Sequence, residues 1–389
     1  MILTSECKEQ FESAFFYPPS YFFFSHGRLE ILGNHTDHNH GLCLVSSVDM
    51  GISAAVSKDD RGFVEIFSSG YKPIKFSISS LERKEEEKGT SLSLCKGVLN
   101  KCKELGYKIG GFKAYFVSDI FPGAGVSSSA CYESLIVKII STLYNDDKIS
   151  SLEMAKIGKY AENVYFGKPC GLLDQIGTSF GGVIYVDFVS LEEPVLENIN
   201  FDLPLKIVLI NSGGNHAQLT PLYASIGLDM KSVAQNVFDK PYLRLISPKE
   251  FFMRIAMPNN SVSERAKLRA THFFNENERV LKAKKALSIN DTTGFIDCIN
   301  ASSLSSQTLL CNTMVPGHYE GSPQQAIDRL RPFAKEGGIR IMGGGFAGSI
   351  IAFVYPKDFS LFMSAAISIY GKNNVKNVSI LKDGPSLIR

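Results

Sequence analysis

Four stretches of the chain concentrate groups that could do chemistry. In Phe121-Pro-Gly-Ala-Gly-Val-Ser-Ser-Ser-Ala130 the glycines would let backbone N–H groups approach an anion closely. A helix following them would aim its free amides and positive dipole end at that anion. The three serines add hydroxyl donors and a candidate magnesium ligand. The shape suits a triphosphate, and with no G-x-x-x-x-G-K-[ST] it is not a Walker A loop. On glycine content alone, a plain strand–helix turn accounts for it equally. The run Gly343-Gly-Gly-Phe-Ala-Gly348 costs conformational entropy, which a chain bears for positive φ, close backbone approach or a tight hairpin. His26, His35, His38 and His40 fall within a short span, and with Asp37 they give His35-Thr-Asp-His-Asn-His40. Imidazole and carboxylate are zinc ligands, yet His-x-Asp-His-x-His matches no defensible ligand spacing. A loop that hydrogen-bonds a polyol would want the same residue types, and a polar turn would tolerate them. Finally, Gly167-Lys-Pro-Cys-Gly-Leu-Leu-Asp-Gln175 sets one carboxylate after a Gly/Pro turn. Asp174 could take a proton from a hydroxyl nucleophile, or serve as a cap or ion-pair partner.

Strands and helices must position these stretches. Alternation and β-branched content predict strands at 42–56, 62–67, 112–117, 182–188, 205–210, 339–342 and 350–354. A helix is predicted over 128–144, where Cys131, Leu135, Ile139 and Leu143 recur every four residues beside Ile136 and Ile140. A second is predicted over 152–166, with Ser151 as N-cap and Met154, Ile157 and Ala161 inward. Residues 248–310 read as mostly helical, and 82–88 as a solvated helix end. The polar run 189–203 reads as a domain junction. Strands and helices do not alternate strictly, which favours α+β over a Rossmann sheet.

Composition narrows the class. The chain is 44% hydrophobic and 21% charged, which excludes a disordered, collagen-like or low-complexity protein. Its net charge of +2 provides no global field for nucleic acid or an anionic membrane. The eight cysteines are scattered, with no CxxC pair. They form neither a disulfide framework nor a zinc ribbon, and fit a reducing, cytoplasmic setting. The first residues are polar and read as no signal peptide, and no apolar run predicts a membrane span. A length of 389 residues accommodates two or three domains.

Together the motifs resemble the GHMP small-molecule kinases, and the galactokinase branch in particular. Gly27-Arg-Leu-Glu-Ile-Leu-Gly-Asn-His-Thr-Asp37 resembles the sugar-binding signature of galactokinases. Residues 123–130 resemble the phosphate-binding motif, and Arg340-Ile-Met-Gly-Gly-Gly-Phe-Ala-Gly348 the third motif. Segments 167–175, 182–187 and 269–280 resemble the family's catalytic-aspartate segment, the strand after it and a helix typical of galactokinases. The resemblance implies a two-domain α+β GHMP kinase fold, divided as 1–195 and 200–389, with the active site in the interdomain cleft. It implies phosphorylation of galactose at the anomeric hydroxyl with ATP and Mg2+, by a monomer or weak dimer with no nucleic-acid or membrane partner.

Residue roles follow from the same resemblance. Asp174 would be the base on the sugar hydroxyl, and Arg28 would hold it ionised and stabilise transition-state charge. Gly123, Ala124, Gly125, Val126, Ser127, Ser128 and Ser129 would hold the phosphates. Ser129 and Glu162 would ligate Mg2+. Asn34, His35, Thr36, Asp37 and Tyr223 would contact the sugar, with Gly171 packed beneath it. The chain also departs from the family pattern. Asn34 replaces a glutamate that reaches the sugar's far hydroxyl, and His38 replaces an aromatic. Residues 224–229 replace an Arg-rich stretch, 306–324 diverge, and Ala347 stands for a glycine. A neutral Asn both donates and accepts, so Asn34 is predicted to set sugar preference. A kinase for a uronic acid or amino sugar is the close alternative. A galactose sensor without turnover is the distant one, and the retained Asp174–Arg28 pair argues against it.

Overall fold

The computed structural model describes residues 2–213, 219–258 and 261–388. Its strands are β1 (Tyr21–Leu32), β2 (Leu42–Asp59), β3 (Phe63–Ser68), β4 (Ile74–Ser77), β5 (Gly111–Ser118), β6 (Val183–Asp187), β7 (Val195–Ile199), β8 (Lys206–Asn211), β9 (Gly338–Ile341), β10 (Ser349–Val354), β11 (Val375–Val378) and β12 (Ser386–Ile388). Its α-helices are α1 (Ile2–Phe15), α2 (Ser91–Glu104), α3 (Ser128–Tyr144), α4 (Ser151–Tyr160), α5 (Leu173–Ser179), α6 (Thr220–Phe238), α7 (Pro248–Ile255), α8 (Glu264–Ser288), α9 (Thr292–Ser305), α10 (Pro323–Ala334) and α11 (Pro356–Tyr370). Among the described residues no helix is long and apolar enough to cross a membrane.

The strands form two sheets. The larger runs β12-β1-β2-β5-β3-β4, with β6 paired to the first half of β2 and β7 paired to β6. The smaller, β11-β8-β10-β9, is antiparallel throughout. Mixed topology with helices packed on the sheets is the predicted α+β class. A core of Phe23, Val56, Phe112, Leu135, Ile139 and Ile157 lies between the larger sheet and α2–α4. Another joins the two sheets through Leu29, Ile31, Leu44, Leu209, Phe295 and Phe353. The four-residue spacing of α3 works as expected: Cys131, Leu135 and Ile139 are fully buried.

Several local readings need correction. The N-cap of α4 is Ser150, not Ser151; its hydroxyl accepts from the Glu153 amide while the Glu153 carboxylate accepts from the Ser150 amide, a capping box. The predicted helix 152–166 changes character at Ala161 and continues as one π turn to Phe166. Residues 21–32 form a strand not predicted from alternation, and a bulge between His26 and Arg28 breaks the period there. The predicted junction 189–203 holds β7, a mostly exposed edge strand paired with β6. The last strand, β12, returns to β1 in the larger sheet.

Candidate active site

The bulge in β1 turns Arg28 toward the glycine loop. The Arg28 amide donates to the Val126 carbonyl at 2.9 Å. A Cβ at Gly27 would lie 2.7 Å from that same oxygen, so only glycine lets the strand approach. The guanidinium then holds Asp174, with Nε 2.9 Å and Nη2 2.8 Å from Oδ1, and its Nη1 donates to the Gly125 carbonyl. Asp174 lies in the first turn of α5, and Gly177 on that helix leaves room for the Arg28 stem. Ser127 precedes α3 in the left-handed region, at φ 61, and caps nothing. Its hydroxyl donates instead to Asp174 Oδ2 at 2.6 Å. Burial alone would raise the Asp174 carboxyl. The charge of Arg28, the Ser127 hydroxyl, the Arg28 hydrogen bonds and the charge of Lys168 outweigh burial and hold it below the ordinary carboxylate range. With 36% of its side chain accessible, the carboxylate still faces the cleft.

A second group of carboxylates sits behind the glycine loop. Glu162, on the π turn, is nearly enclosed, and its Oε1 accepts from Ser129 Oγ at 3.1 Å and from Lys168 Nζ at 3.0 Å. Its Oε2 accepts from Gln175 at 2.8 Å, and the same amide reaches Glu133 Oε2 at 3.3 Å. Burial, then the charge of Glu162, pushes the Glu133 carboxyl well above its ordinary value. Magnesium takes hard oxygens, commonly one or two carboxylates with substrate phosphates supplying the rest. Ser129 Oγ and Glu162 Oε1 fit that donor set, and an ammonium already sits on the oxygen an ion would take. The loop itself is anchored from the smaller sheet: Ser349 Oγ donates to the Gly123 carbonyl at 2.7 Å, and Asn211 donates to the Pro122 carbonyl at 3.0 Å. Gly123 and Gly125 both adopt positive φ. Ala124 and Val126 direct their side chains into the core between the sheets, so only their backbone is available to a phosphate.

The histidine-rich loop divides its residues between wall and core. Asp37 Oδ2 would lie 2.6 Å from a Cβ at Gly171, so Gly171 is what allows this carboxylate to stand against the loop before α5. Asp37, His38, His35 and the Gly344 carbonyl form a chain, with contacts of 3.3, 3.3 and 3.0 Å. Burial, then the neighbouring His38, lowers His35 to about 3, so its ring is neutral. Tyr223 donates from its hydroxyl to the Gly345 carbonyl at 3.0 Å and crosses Phe346 edge to face. His26 is buried in β1 and His40 stacks on Tyr242 at 3.8 Å. The histidines therefore do not converge. Among the described residues no three His, Cys, Asp or Glu side chains could hold a metal ion together.

Known proteins match this arrangement. The model of the galactokinase galactose-binding signature covers residues 9–58, and that of the GHMP kinases N terminal domain covers 93–182. A galactokinase of Streptococcus thermophilus is 30% identical over 363 residues, spanning 90% of this chain and 89% of that protein. One of Actinobacillus pleuropneumoniae is 31% identical over 360 residues, spanning 89% and 88%. The chain belongs to the galactokinase family. The crystal structure of Lactococcus lactis galactokinase complexed with galactose superposes with a TM-score of 0.84 at 24% identity, covering 99% of this chain and all of that one. The Methanococcus jannaschii mevalonate kinase gives 0.67 at 14% identity, over 93% of this chain and 99% of that one. Both share the GHMP kinase fold.

Two of the residues expected to contact the sugar are buried behind the loop surface. Thr36 is fully buried, and its hydroxyl donates to the Gly33 and Leu42 carbonyls at 2.9 and 2.8 Å. It shapes the loop from within. Asn34 is 1% exposed, and both donors of its amide are engaged. Its Nδ2 donates to Glu30 Oε1 at 2.8 Å and to the Gly343 carbonyl at 2.6 Å, and its Oδ1 accepts from Asn312 at 2.9 Å. Glu30 is also paired with the fully buried Arg340 at 3.1 Å. Asn34 therefore ties the first signature to the third glycine motif. Sequence reasoning missed Glu30, Asn312, Lys168 and Gln175. Glu30, Lys168 and Gln175 lay inside motifs already singled out. Asn312 falls in the divergent stretch 306–324 and carried no signal.

Proposed function

We propose that this galactokinase-family kinase transfers the γ-phosphoryl group of ATP to the anomeric hydroxyl of galactose, giving galactose 1-phosphate and ADP. The observation that carries this reading is the Asp174 carboxylate, held ionised by Arg28 and Ser127 at the mouth of the glycine loop. A carboxylate so placed accepts the hydroxyl proton as the sugar oxygen becomes a nucleophile. Arg28 keeps Asp174 charged beforehand and places positive charge where phosphoryl transfer accumulates negative charge. The first-turn amides of α3 and the backbone of 123–129 would face the phosphates. Bound Mg2+ would neutralise phosphate charge, and Ser129 and Glu162 are the residues that would hold it. His35, Asp37 and Tyr223 form the sugar wall, with Gly171 beneath Asp37. We divide the chain near residue 200 into two domains with this cleft between them, β12 crossing back to the first.

The test is a coupled ADP-release assay with ATP and Mg2+ against galactose, glucose, galactosamine, N-acetylgalactosamine, galacturonate and arabinose. Turnover on galactose above the rest is expected. Preferred turnover on another sugar would keep the chemistry and refute the substrate. No turnover on any sugar would refute the kinase reading.

A further inference from the structure

Lys168 carries a charge at the site to which the proton transfer assigns no direct contact. It follows Gly167, which sits at φ 81, and both amides close the π turn by donating to the Glu162 carbonyl at 3.0 and 3.1 Å. The Lys168 side chain therefore springs from the turn that carries Glu162. Its ammonium lies 3.0 Å from Glu162 Oε1, the oxygen that also accepts from Ser129. The carboxylate is 2% exposed and the lysine side chain 62% exposed, so one partner is fixed in the wall and the other is free to leave it. The other neighbours of Glu162 are the Ser129 hydroxyl and the neutral amide of Gln175, which also reaches Glu133. A buried carboxylate without a cation is costly, and Lys168 removes that cost. Its charge also lowers the Asp174 carboxyl and opposes the burial that raises Tyr223.

We propose that Lys168 and the divalent cation compete for Glu162, and that the displaced ammonium then serves as an additional cationic contact for the transferring phosphoryl group. The proposal rests on the assignment of Glu162 as a metal ligand. An ammonium and a metal ion cannot both occupy Oε1 at contact distance, because like charges a few ångströms apart repel. When an ion takes Glu162, the long flexible lysine stem lets Nζ swing toward the phosphates. There it meets negative charge that grows in the transition state. The lysine thus keeps the carboxylate satisfied before nucleotide arrives and becomes a catalytic contact after it.

The experiment compares the unaltered chain with Lys168→Met, Lys168→Arg and Glu162→Gln. Binding of Mn2+ in the presence of a non-hydrolysable ATP analogue is followed by electron paramagnetic resonance, and kcat on galactose is measured alongside. Removing the competitor should tighten Mn2+ binding several-fold in Lys168→Met while kcat falls roughly tenfold. Lys168→Arg should restore a large part of kcat. Unchanged or weaker Mn2+ binding in Lys168→Met overturns the competition. An unchanged kcat overturns the phosphoryl contact. If Glu162→Gln binds Mn2+ as the unaltered chain does, the metal assignment itself falls and the proposal falls with it.

Discussion

Replacing Asn34 with glutamate separates the two accounts of this position most sharply. If Asn34 faced the sugar, the glutamate would restore the family's usual contact and favour galactose. The structure gives the opposite expectation. The Asn34 amide donates to Glu30 Oε1 and to the Gly343 carbonyl, and both bonds vanish when the donor becomes an acceptor. The new carboxyl would stand within hydrogen-bond distance of the buried Glu30 carboxyl, and the two could not both ionise. Two lost donor contacts and a buried like-charge pair are worth about 3–5 kcal/mol of stability. That is a large fraction of the roughly 5–15 kcal/mol a protein has in total. Combining Asn34→Glu with Glu30→Gln returns one carboxylate and one amide to the contact. The pair should recover about 2 kcal/mol relative to the sum of the single variants. Urea unfolding of the four proteins, with kcat/KM for galactose on each, decides the matter. An Asn34→Glu variant of unchanged stability and improved kcat/KM would refute the reasoning.

Two further outcomes follow from the ionisable groups. Asp174 is held below its ordinary value in the folded chain, so the active carboxylate is present above that lowered value and is lost as pH falls through it. Ser127→Ala removes one stabilising donor. The acid limb of kcat/KM should then move to higher pH, with an overall loss of about tenfold; an unmoved limb would separate Ser127 from the base. Burial lowers His26 to about 4, His35 to about 3 and His272 to about 4, from an ordinary 6.5. Depressed folded values mean the unfolded chain takes up protons first. Stability should therefore rise with pH between 4 and 6.5, with a slope near pH 5 approaching about 4 kcal/mol per pH unit. Urea midpoints that stay flat across that window would show these rings are protonated in the folded state.

The sequence was legible where one residue type had one physical reason to be present. The α3 spacing, the strands with plain alternation and the glycines of the phosphate loop all report contacts made by their own segment. The Arg28–Asp174 pair was legible only through family resemblance, since 146 positions separate its members. What the sequence does not display is anything decided by distant partners. Asn34 looks like a sugar ligand until Asn312, Glu30 and Gly343 are seen to use every group of its amide. Thr36 looks like part of a polar loop until its hydroxyl is found satisfied by two carbonyls. Ser127 reads as a phosphate donor, yet its hydroxyl belongs to Asp174. Hydrogen-bond partners across a fold leave no periodicity for a sequence pattern to show.

The most direct test of the central claim is Asp174→Asn, an isosteric change that removes the proton acceptor and leaves the glycine loop intact. Galactose-dependent ADP release should fall by about a thousandfold. Affinity for a non-hydrolysable ATP analogue, measured by calorimetry on the same sample, should stay within about threefold of the unaltered chain. Turnover close to that of the unaltered chain, with nucleotide binding retained, would contradict the assignment of Asp174 as the base.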